Sequence, residues 1–536
     1  MTPRLRLLAA GLAAGLAALS APSAPSAAAR GPGRAPDGPP VRGHVHDRNA
    51  HDHHAHAHDH GHPDGHEASE GVVLAAAAGE TVGEGSTCPG GAPLRAYDVV
   101  ALAVEITLNR FGDHDPDGRM YALAGDVARV RAEEAANRKA RAEGGDPAVT
   151  NGLQGDAIQP LTLRVNQGEC LRVTLHNTLP AESASFHVHG SALRIPGRGT
   201  AATAANPDAT AAPGRGVTYE WLVGRDEPEG VHYFHSHGDA RRQTAHGLFG
   251  AVVVELAGSE YLDPRTGRPA ASGWDAVIRP PERPAFREFA LYYHEVGDET
   301  FLLRDGSGAA VPIVDPILGA YRPGSRALNY RSESFLNRMA LQQRQSGRFD
   351  ESVAYSSYAF GDPATPVLRT YLGEPVKERL VHGGSEVFHV HHVHGGATRW
   401  RRQPGVEAEP PAGLQKHPPL RPQVTERTDS QSVGPSETFD IDHECGAGGC
   451  QQSVGDYLYH CHVAHHYFAG MWGLWRVYNT RQEAGAATDD LPPLAELPDR
   501  RDRVRPAVTS EALAGATVDD YGRRSTIGDP TAWVER

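Results

Sequence analysis

Apolar and polar residues alternate along two neighbouring stretches of the chain. In residues 161–165 and 171–175 the leucines and valines fall on every second position. Because successive side chains of a strand point to opposite faces, both stretches are predicted to be strands with one buried face. The apolar runs at 251–256 and 289–293 indicate two further strands.

One stretch departs from this strand pattern. Residues 125–143 are dense in alanine, arginine and glutamate, a composition typical of a helix, and we expect a surface insertion there. Glycine and proline, with 60 and 41 residues, are abundant and are frequent in the loops 191–216 and 402–435. Such frequent turns favour an all-β protein over a helical bundle.

The N-terminus has the three parts of a secretory signal peptide. Arg4 and Arg6 are followed by the apolar stretch 7–19 and the small residues 27–29, so residues 1–29 are predicted to be removed. We therefore expect a secreted protein that folds in an oxidising compartment. No later apolar run approaches the ~20 residues of a membrane-spanning helix, so no membrane association is expected.

Two segments are predicted to lie outside the folded domains. Residues 30–70 contain ten of the 30 histidines and too few apolar residues to form a core, so this tail is expected to be disordered. The tail either gathers metal ions or is only a solvated segment. Residues 481–536 are interpreted as a C-terminal tail.

The remaining 20 histidines are concentrated in pairs separated by one residue. A random distribution over residues 67–536 would give ~0.9 such pairs, whereas the sequence has five. The pairs are His187/His189, His235/His237, His389/His391, His392/His394 and His460/His462. Imidazole is a common metal ligand, and Cys461 lies inside the last pair, so the pattern predicts metal binding.

Side-chain alternation divides these residues between two sites. If each pair lies on a strand, both of its histidines face one side, whereas Cys461 faces away from His460 and His462. His389 and His392 are three residues apart, so they also face opposite sides. The sequence therefore predicts one site with eight histidines and a second site, back to back with it, that contains His389 and Cys461.

The second site is completed a few residues later in the chain. His466 and Met471 follow Cys461, which gives one thiolate, two imidazoles and one thioether. These are the ligands of a blue copper site, whose reduction potential is tuned by the axial ligand. Zinc can also bind a thiolate flanked by histidines, but the eight further paired histidines have no explanation in a zinc site.

These motifs resemble those of the multicopper oxidase family of laccase-like enzymes. The family pattern H-x-H-G corresponds to 187–190, H-x-H to 235–237, H-x-x-H-x-H-G to 389–395 and H-C-H-x-x-x-H-x-x-x-x-M to 460–471. The resemblance covers residues 90–480. It implies a type 1 copper bound by His389, Cys461, His466 and Met471.

The resemblance also divides the eight paired histidines among three further coppers, which makes four ions per functional unit. The implied type 2 ligands are His187 and His392. One type 3 copper would be bound by His189, His235 and His462. The other would be bound by His237, His394 and His460. Cys461, with His460 and His462 beside it, would carry electrons between the two sites.

Some residues depart from the family pattern. Five further histidines lie near the motifs, namely His232, His246, His391, His443 and His465. His391 shares the face of His389, so it is the alternative type 1 ligand. Where the family sometimes has an acidic residue after the second type 1 histidine, this chain has Tyr467. Asp239 and Asp456 are therefore candidates for proton delivery.

The spacing of the motifs sets the number of domains. Only 152 residues separate His237 from His389, and the segments 286–293 and 329–335 are predicted to be the first strands of the second copper domain. We therefore expect tandem cupredoxin-like Greek-key β-sandwiches at 90–256 and 285–480. The resemblance implies a homotrimer, because the eight-histidine cluster needs both domain types at one interface. A three-domain monomer is the alternative.

Four cysteines remain besides Cys461, and three pairings are possible. Cys445 and Cys450 enclose the flexible sequence Gly-Ala-Gly-Gly, which lets them meet disulfide geometry. Cys88 would then pair with Cys170 and tie the N-terminal segment to the first sandwich. Free thiols would be exceptional in an oxidising compartment.

The sequence and the resemblance together predict a secreted copper-dependent oxidase. A small reducing substrate, phenolic or a metal ion, would supply single electrons, and dioxygen would be reduced to water. The alternatives are a copper nitrite reductase-like enzyme and a non-catalytic copper-binding or electron-transfer protein, and the eight histidines argue against both. The 52 Lys and Arg against 66 Asp and Glu give a net charge of −14, which argues against nucleic acid as a partner.

Overall fold

Strands dominate the part of the chain that the computed structural model describes. It describes residues 81–144, 147, 156–198, 200–201, 207–297, 303–304, 310–311, 325–347, 351–403, 426–483 and 491–506. The signal peptide predicted at 1–29 and the tail predicted at 30–70 lie outside these residues. The predicted all-β fold class is confirmed.

The strands between residues 94 and 255 form the first sandwich. They are β1 (Leu94–Ala103), β2 (Ile106–Thr107), β3 (His114–Asp115), β4 (Arg119–Leu123), β5 (Leu161–Asn166), β6 (Cys170–Asn177), β7 (Ala184–Ser185), β8 (His187–Val188), β9 (Arg194–Ile195), β10 (Thr200–Ala201), β11 (Thr210–Ala211), β12 (Gly216–Leu222), β13 (Gly230–His235) and β14 (Phe249–Glu255). One sheet has the order β10-β9-β12-β6-β1-β4, and the other has the order β5-β14-β13-β8. Apolar side chains such as Val173, Phe186 and Val252 fill the space between them.

The strands from residue 260 onward form the second sandwich. They are β15 (Glu260–Leu262), β16 (Asp275–Arg279), β17 (Phe286–Glu295), β18 (Leu303–Arg304), β19 (Ala310–Val311), β20 (Arg326–Leu328), β21 (Val367–Tyr371), β22 (Val376–His382), β23 (His389–Val393), β24 (Thr398–Gln403), β25 (Glu426–Arg427), β26 (Ser430–Val433), β27 (Thr438–His443), β28 (Gly455–Cys461) and β29 (Trp472–Tyr478). One sheet has the order β15-β16-β17-β22-β27-β24-β25, with β20 beside β17, and the other has the order β21-β29-β28-β23-β26. Two small sheets, β11-β7 and β19-β18-β3-β2, lie apart from these four.

The two sandwiches have the same strand topology. In the first, β1 is parallel to β6 and β5 is parallel to β14; in the second, the parallel pairs are β17 with β22 and β21 with β29. β8 pairs with β13 in the first sandwich as β23 pairs with β28 in the second sandwich. The histidine pairs therefore occupy equivalent strands. This duplication agrees with tandem sandwiches, whereas the predicted domain boundaries stay predictions.

Helices are few and short. They are α1 (Val127–Ala142), α2 (Ala240–Ala245), α3 (Phe335–Ser346), α4 (Ser357–Phe360) and α5 (Ala464–Ala469), with single 3₁₀ turns at Ala124–Asp126, Pro207–Ala209 and Glu351–Val353. α1 coincides with the helix predicted at 125–143, and most of its side chains are exposed. Among the described residues, no helix is long and apolar enough to cross a membrane.

Three stretches differ from the sequence predictions. β5 is buried on both faces rather than one, because Thr162 hydrogen-bonds Tyr292 and Arg164 pairs with Glu288 of the second sandwich. The strand predicted at 329–335 is wrong. β20 ends before it, Asn329 and Tyr330 have positive φ angles of 50° and 64°, and α3 begins at its end. Residues 491–506 pack on the second sandwich, so the fold continues past residue 480 into the predicted tail.

Both predicted disulfides are present. Cys88–Cys170 joins the segment before β1 to the first residue of β6. Cys445–Cys450 closes a short loop between β27 and β28. The remaining cysteine, Cys461, is free and buried.

A buried ionic cluster joins the two sandwiches. Arg379 of β22 lies within 2.7–3.1 Å of Glu288 and Asp440 in the second sandwich and of Glu229 and Glu255 in the first. The side chains of all five residues are 5% exposed or less. Burial opposes the ionisation of Glu288, but the charges of Arg164 and Arg379 outweigh it and lower the pKa to about 2. Arg379 therefore compensates carboxylates that would otherwise be buried without a counterion.

We expect Arg379→Met to destabilise the fold by about 3–5 kcal/mol, because removing one partner leaves buried charges unpaired. The matched control is Arg402→Met on β24, a strand of the same sheet. Arg402 is 64% exposed and pairs with Glu437 at the surface, so its loss should cost ~1 kcal/mol or less. Denaturant unfolding of the two variants checks this, and equal midpoints would contradict the role given to Arg379.

Candidate metal centres

β23 and β28 bring most of the predicted ligands together. The two strands are antiparallel, with His392 opposite His460 and His391 opposite Cys461. Because side chains alternate along a strand, Cys461 points into the interior and is 0% exposed, whereas His462 after it is exposed. Neighbouring residues of β28 therefore belong to two different sites.

The interior site consists of His389, Cys461 and His466. The Nδ1 atoms of His389 and His466 are 3.1 Å apart, and the thiol Sγ lies 3.4 Å from Nδ1 of His466 and 4.0 Å from that of His389. All three residues are buried, and their ligand atoms lie within 4.8 Å of one another. The N–H of Val390 also points at the sulfur, at 3.3 Å.

Met471 lies beside this trio. It is fully buried, and its carbonyl accepts a hydrogen bond from the N–H of Cys461 at 3.0 Å. α5 provides His466, and the turn after it returns the chain to Met471, whose N–H donates to the carbonyl of His466. One thiol, two imidazoles and a buried thioether in this arrangement fit a blue copper ion.

Burial keeps these ligand atoms uncharged without a metal. It lowers the pKa of His389 to about 3, and burial together with the neighbouring His389 lowers that of His466 to about 2. Burial also raises the pKa of the Cys461 thiol to about 11. The imidazoles are therefore ready to bind a metal at neutral pH, while the thiol must lose its proton to do so.

The first group of surface histidines consists of His187, His189, His235 and His237. His187 and His235 face each other across β8 and β13. Nε2 of His235 lies 3.1 Å from Nε2 of His189, and the ring centroids of His187 and His237 are 4.8 Å apart. Nδ1 of His235 is bonded to the carbonyl of Ser236, which leaves Nε2 as its ligand atom. We call these four residues the first quartet.

The second quartet consists of His392, His394, His460 and His462, at the equivalent place in the other sandwich. Nε2 of His394 lies 3.3 Å from Nε2 of His460, and the rings of His460 and His462 are 5.2 Å apart. Nδ1 of His460 is bonded to the carbonyl of Cys461, so its Nε2 is again the ligand atom. His394 and His462 are exposed in this chain.

The structure thus distributes the eight predicted cluster histidines over two sandwiches. The ring contacts described above join members of the same quartet. All members of the quartets except the buried His460 are half-buried or exposed, unlike the residues of the interior site. The assembly of the two quartets into one eight-histidine site stays a prediction.

His391, the alternative type 1 ligand, lies away from the thiol site. Its Nδ1 is bonded to the hydroxyl of Tyr293 at 2.7 Å, and its Nε2 lies 3.1 Å from the carboxylate of Glu378. The other oxygen of Glu378 is 2.7 Å from Nε2 of His443. Both nitrogens of His391 have partners, so His389 is the histidine that meets Cys461.

The other extra histidines have separate surroundings. His246 pairs with Asp115 at 2.9 Å, the ring of His232 is bonded to the carbonyl of His189, and His465 is exposed. Of the two acids considered for proton delivery, Asp456 is held by Arg476 in a two-point ion pair. Asp239 is exposed two residues after His237 and caps α2.

Sequence reasoning missed the polar groups behind His389. The carboxylate of Glu295 lies 3.5 Å from its Nε2, and the ring of His382 stacks on its ring at 4.7 Å. Burial opposes the ionisation of Glu295, but the bond from His389 and the nearby imidazoles lower its pKa. In the sequence, Glu295 is only an acidic residue at the end of an apolar strand, so no motif marks it.

One part of the chain matches a known protein family. Residues 135–258 match the family model described as multicopper oxidase. This range contains the motifs at 187–190 and 235–237, whose resemblance to the family is thereby confirmed. Copper is the metal that this family implies, and its members are oxidoreductases.

Solved structures of copper proteins are similar to the chain at low identity. A multicopper oxidase matches 74% of this chain and 93% of its own, with 17% identity and a TM-score of 0.41. A blue copper oxidase from Nitrosomonas europaea matches 81% and 95%, with 16% identity and a TM-score of 0.40. A copper nitrite reductase from the same organism matches 72% and 94%, with 14% identity and a TM-score of 0.40.

The lowered histidine pKa values predict the pH dependence of stability without metal. Burial lowers the pKa of His189, His294 and His460 to about 4 and that of His235 to about 3, against 6.5 when exposed. The unfolded chain therefore takes up protons below pH 6.5 that the folded chain does not. The free energy of unfolding is therefore highest above pH 6.5 with respect to these histidines, and it decreases as the pH is lowered below 6.5. One such histidine costs about 2 kcal/mol at pH 5.

We expect the melting temperature of the metal-free protein to fall between pH 7 and pH 5, as measured by calorimetry. The copper-loaded protein is the comparison, since a metal-bound nitrogen takes up no proton until the metal leaves. A melting temperature of the metal-free form that stays constant or rises toward pH 5 would contradict the lowered pKa values of these histidines.

Proposed function

We propose that this protein is a secreted copper-dependent oxidase that takes single electrons from a small reducing substrate and reduces dioxygen to water. One observation carries the proposal. Cys461 lies between His460 and His462 on β28 and faces the opposite way, toward His389 and His466. A thiolate site and a histidine site are therefore joined by one residue of backbone.

The interior residues would hold the type 1 copper. His389, Cys461 and His466 supply the two imidazoles and the thiolate, with Met471 beside them, and their burial keeps water away from the thiolate. Copper held by this ligand set would accept and release single electrons, and coppers held by the eight histidines of the two quartets would supply the chemistry that combines four electrons and four protons with one dioxygen to give two waters.

The chain itself connects the two sites by a short route. From Sγ, covalent bonds lead through the Cys461 backbone to both adjacent histidines. A second connection is the hydrogen bond that Nδ1 of His460 donates to the carbonyl of Cys461, at 2.9 Å. Electrons donated near His389 or His466 would thus pass from the sulfur of Cys461 to His460 of the second quartet along β28.

Two contacts within the quartets join histidines that the resemblance assigns to the same copper. His189 and His235, assigned to one type 3 copper, have their Nε2 atoms 3.1 Å apart. His394 and His460, assigned to the other, have theirs 3.3 Å apart. His187 and His392, assigned to the type 2 copper, occupy equivalent positions opposite His235 and His460.

The cluster would be completed between copies of the chain. Each quartet lies on a different sandwich and has exposed or half-buried members. A first quartet that faces the second quartet of a neighbouring copy assembles the eight histidines, and repetition closes a homotrimer. Export follows from the predicted signal peptide, and the donor is proposed to be a phenol or a metal ion.

Replacing the thiolate tests the proposal. Cys461→Ser should abolish the intense blue absorption and substrate oxidation together, because the thiolate is the ligand that makes the site blue. Copper content should fall by about one ion per chain, since the quartets lose no ligand. The matched control is the double variant Cys445→Ser/Cys450→Ser, which removes a disulfide instead of the free thiol and should stay blue. A serine variant that remains blue, or that loses all copper, would contradict the two-site arrangement.

Oxygen uptake on copper-loaded protein separates the proposed function from its alternatives. A panel of phenolic and metal-ion donors should support dioxygen consumption. Nitrite reduction without oxygen uptake would favour the nitrite reductase-like enzyme. Copper binding without either reaction would favour a copper-binding or electron-transfer protein.

Two defective variants should restore each other if the cluster forms between chains. His187→Ala/His189→Ala removes half of the first quartet, and His392→Ala/His394→Ala removes half of the second, so each alone should be inactive. Coexpression creates contacts at which both quartets are intact, and oxygen uptake should return in a trimer of ~170 kDa. Two different first-quartet variants coexpressed should stay inactive. No recovery in the mixed pair, or a fully active monomer, would restore the three-domain interpretation.

A further inference from the structure

His389 makes contacts through both of its ring nitrogens. Nδ1 faces the interior site, 3.1 Å from Nδ1 of His466 and 4.0 Å from the sulfur of Cys461. Nε2 points the other way and lies 3.5 Å from Oε2 of Glu295, whose side chain is 4% exposed. One imidazole therefore connects the proposed type 1 copper to a buried carboxylate.

The carboxylate of Glu295 is fixed in this position by the backbone. Its Oε1 accepts hydrogen bonds from the N–H groups of Ser385 and Glu386. Gly384 packs directly on Oε2, and a Cβ at this residue would overlap the carboxylate. The turn at 384–386 thus holds one oxygen and leaves the other for His389.

Other groups confine the ring of His389 itself. His382 stacks on it with an interplanar angle of 22°, and His382 is fixed by the bond between its Nε2 and the carbonyl of Val387. The neighbouring strand β20 places the buried Arg326 in register with Glu295. The ring of His389 therefore has little freedom to turn away from the carboxylate.

A carboxylate behind a metal-bound imidazole affects the metal through the ring. It accepts the remaining ring N–H, fixes the orientation of the ring and makes the ligand nitrogen more basic. A negative charge in a buried site also favours the more positive, oxidised state of a redox metal. Both effects lower the reduction potential.

We propose that Glu295 is a positioning residue of the type 1 copper, which acts through His389 to orient the imidazole and to lower the reduction potential. The proposal rests on the proposed function, because it requires copper at the interior site. Glu295 contacts no substrate and binds no metal in this role.

The chain contains a natural control for this arrangement. His391 lies two residues away on the same strand and has its own buried carboxylate, Glu378, at 3.1 Å from Nε2. Its Nδ1, however, is bonded to Tyr293 rather than directed at Cys461. Loss of the Glu378 charge therefore removes a buried carboxylate from beside an imidazole that is not a proposed copper ligand.

The test is the reduction potential of the blue site in Glu295→Gln and Glu378→Gln, measured by redox titration of the blue absorption band. Glutamine keeps the shape and removes the charge. Glu295→Gln should favour the reduced state about tenfold, which is ~59 mV for a one-electron couple. Glu378→Gln should change the equilibrium less than about threefold. Glu295→Asp, which keeps the charge, should lie closer to wild type than Glu295→Gln.

A second variant covers the case in which Glu295→Gln does not fold. Gly384→Ala leaves Glu295 in the chain but displaces its carboxylate, and it should also raise the potential. The matched control is Gly396→Ala, whose Cβ would lie 3.3 Å from His443 and fits there with a small shift. An unchanged or lowered potential in the Glu295 and Gly384 variants, or an equal rise in the Glu378 control, would overturn the proposal.

The wild-type spectrum distinguishes this failure from failure of the proposed function. If copper-loaded wild type has no blue band, the proposed function is wrong and this role of Glu295 falls with it. If wild type is blue and the potential of the variants does not move as expected, only the role of Glu295 is wrong.

Discussion

Adjacent residues of a β-strand face opposite sides of the sheet, and this constraint organises the functional part of the molecule. On β28 it turns Cys461 toward the interior site, while His460 and the following exposed His462 face the second quartet. β23 repeats the division, with His389 inside and His392 outside. No loop or linker is needed between the two environments, because one peptide bond separates them. A slip of one residue in the pairing of these strands would exchange the two sets of side chains.

Buried charge is the second recurring feature, and it is compensated locally. Arg379 neutralises carboxylates from both sandwiches, while Glu295 and Glu378 each lie against an imidazole. A buried carboxylate without such a partner would cost several kcal/mol. The same pairs decide which nitrogen of each ring is available, so they fix the chemistry of His389 and His391 as well as the packing. The contacts of Glu295 and Glu378 with these imidazoles therefore contribute both to the stability of the fold and to the geometry of the candidate ligands.

The histidine motifs could be interpreted from the sequence because each is local. Alternation along one strand is enough to separate Cys461 from His460, and the structure keeps that separation. The partners Glu295 and Glu378 could not be found this way, since they lie about 94 and 13 positions from their histidines. They approach only when the sheet that contains β17 and β22 packs on the sheet that contains β23. The burial of both faces of β5 was missed for a similar reason, because Arg164 meets Glu288 across the contact between sandwiches. The strand predicted at 329–335 is absent because the chain turns at Asn329 and Tyr330, which have positive φ angles.

The duplicated topology has a consequence for how copies of the chain can meet. The first and second quartets occupy equivalent strands of two sandwiches that differ at one decisive position, where Ser236 stands in the first and Cys461 in the second. A contact that joins unlike quartets is heterologous, so every chain offers one complementary half on each side. If copies of the chain meet in this way, such contacts form a ring when the rotation between copies closes and an open filament when it does not. An open filament of chains would leave one quartet without a partner quartet at each end, so it would have fewer complete histidine sites than thiolate sites. In a closed ring the two numbers would be equal.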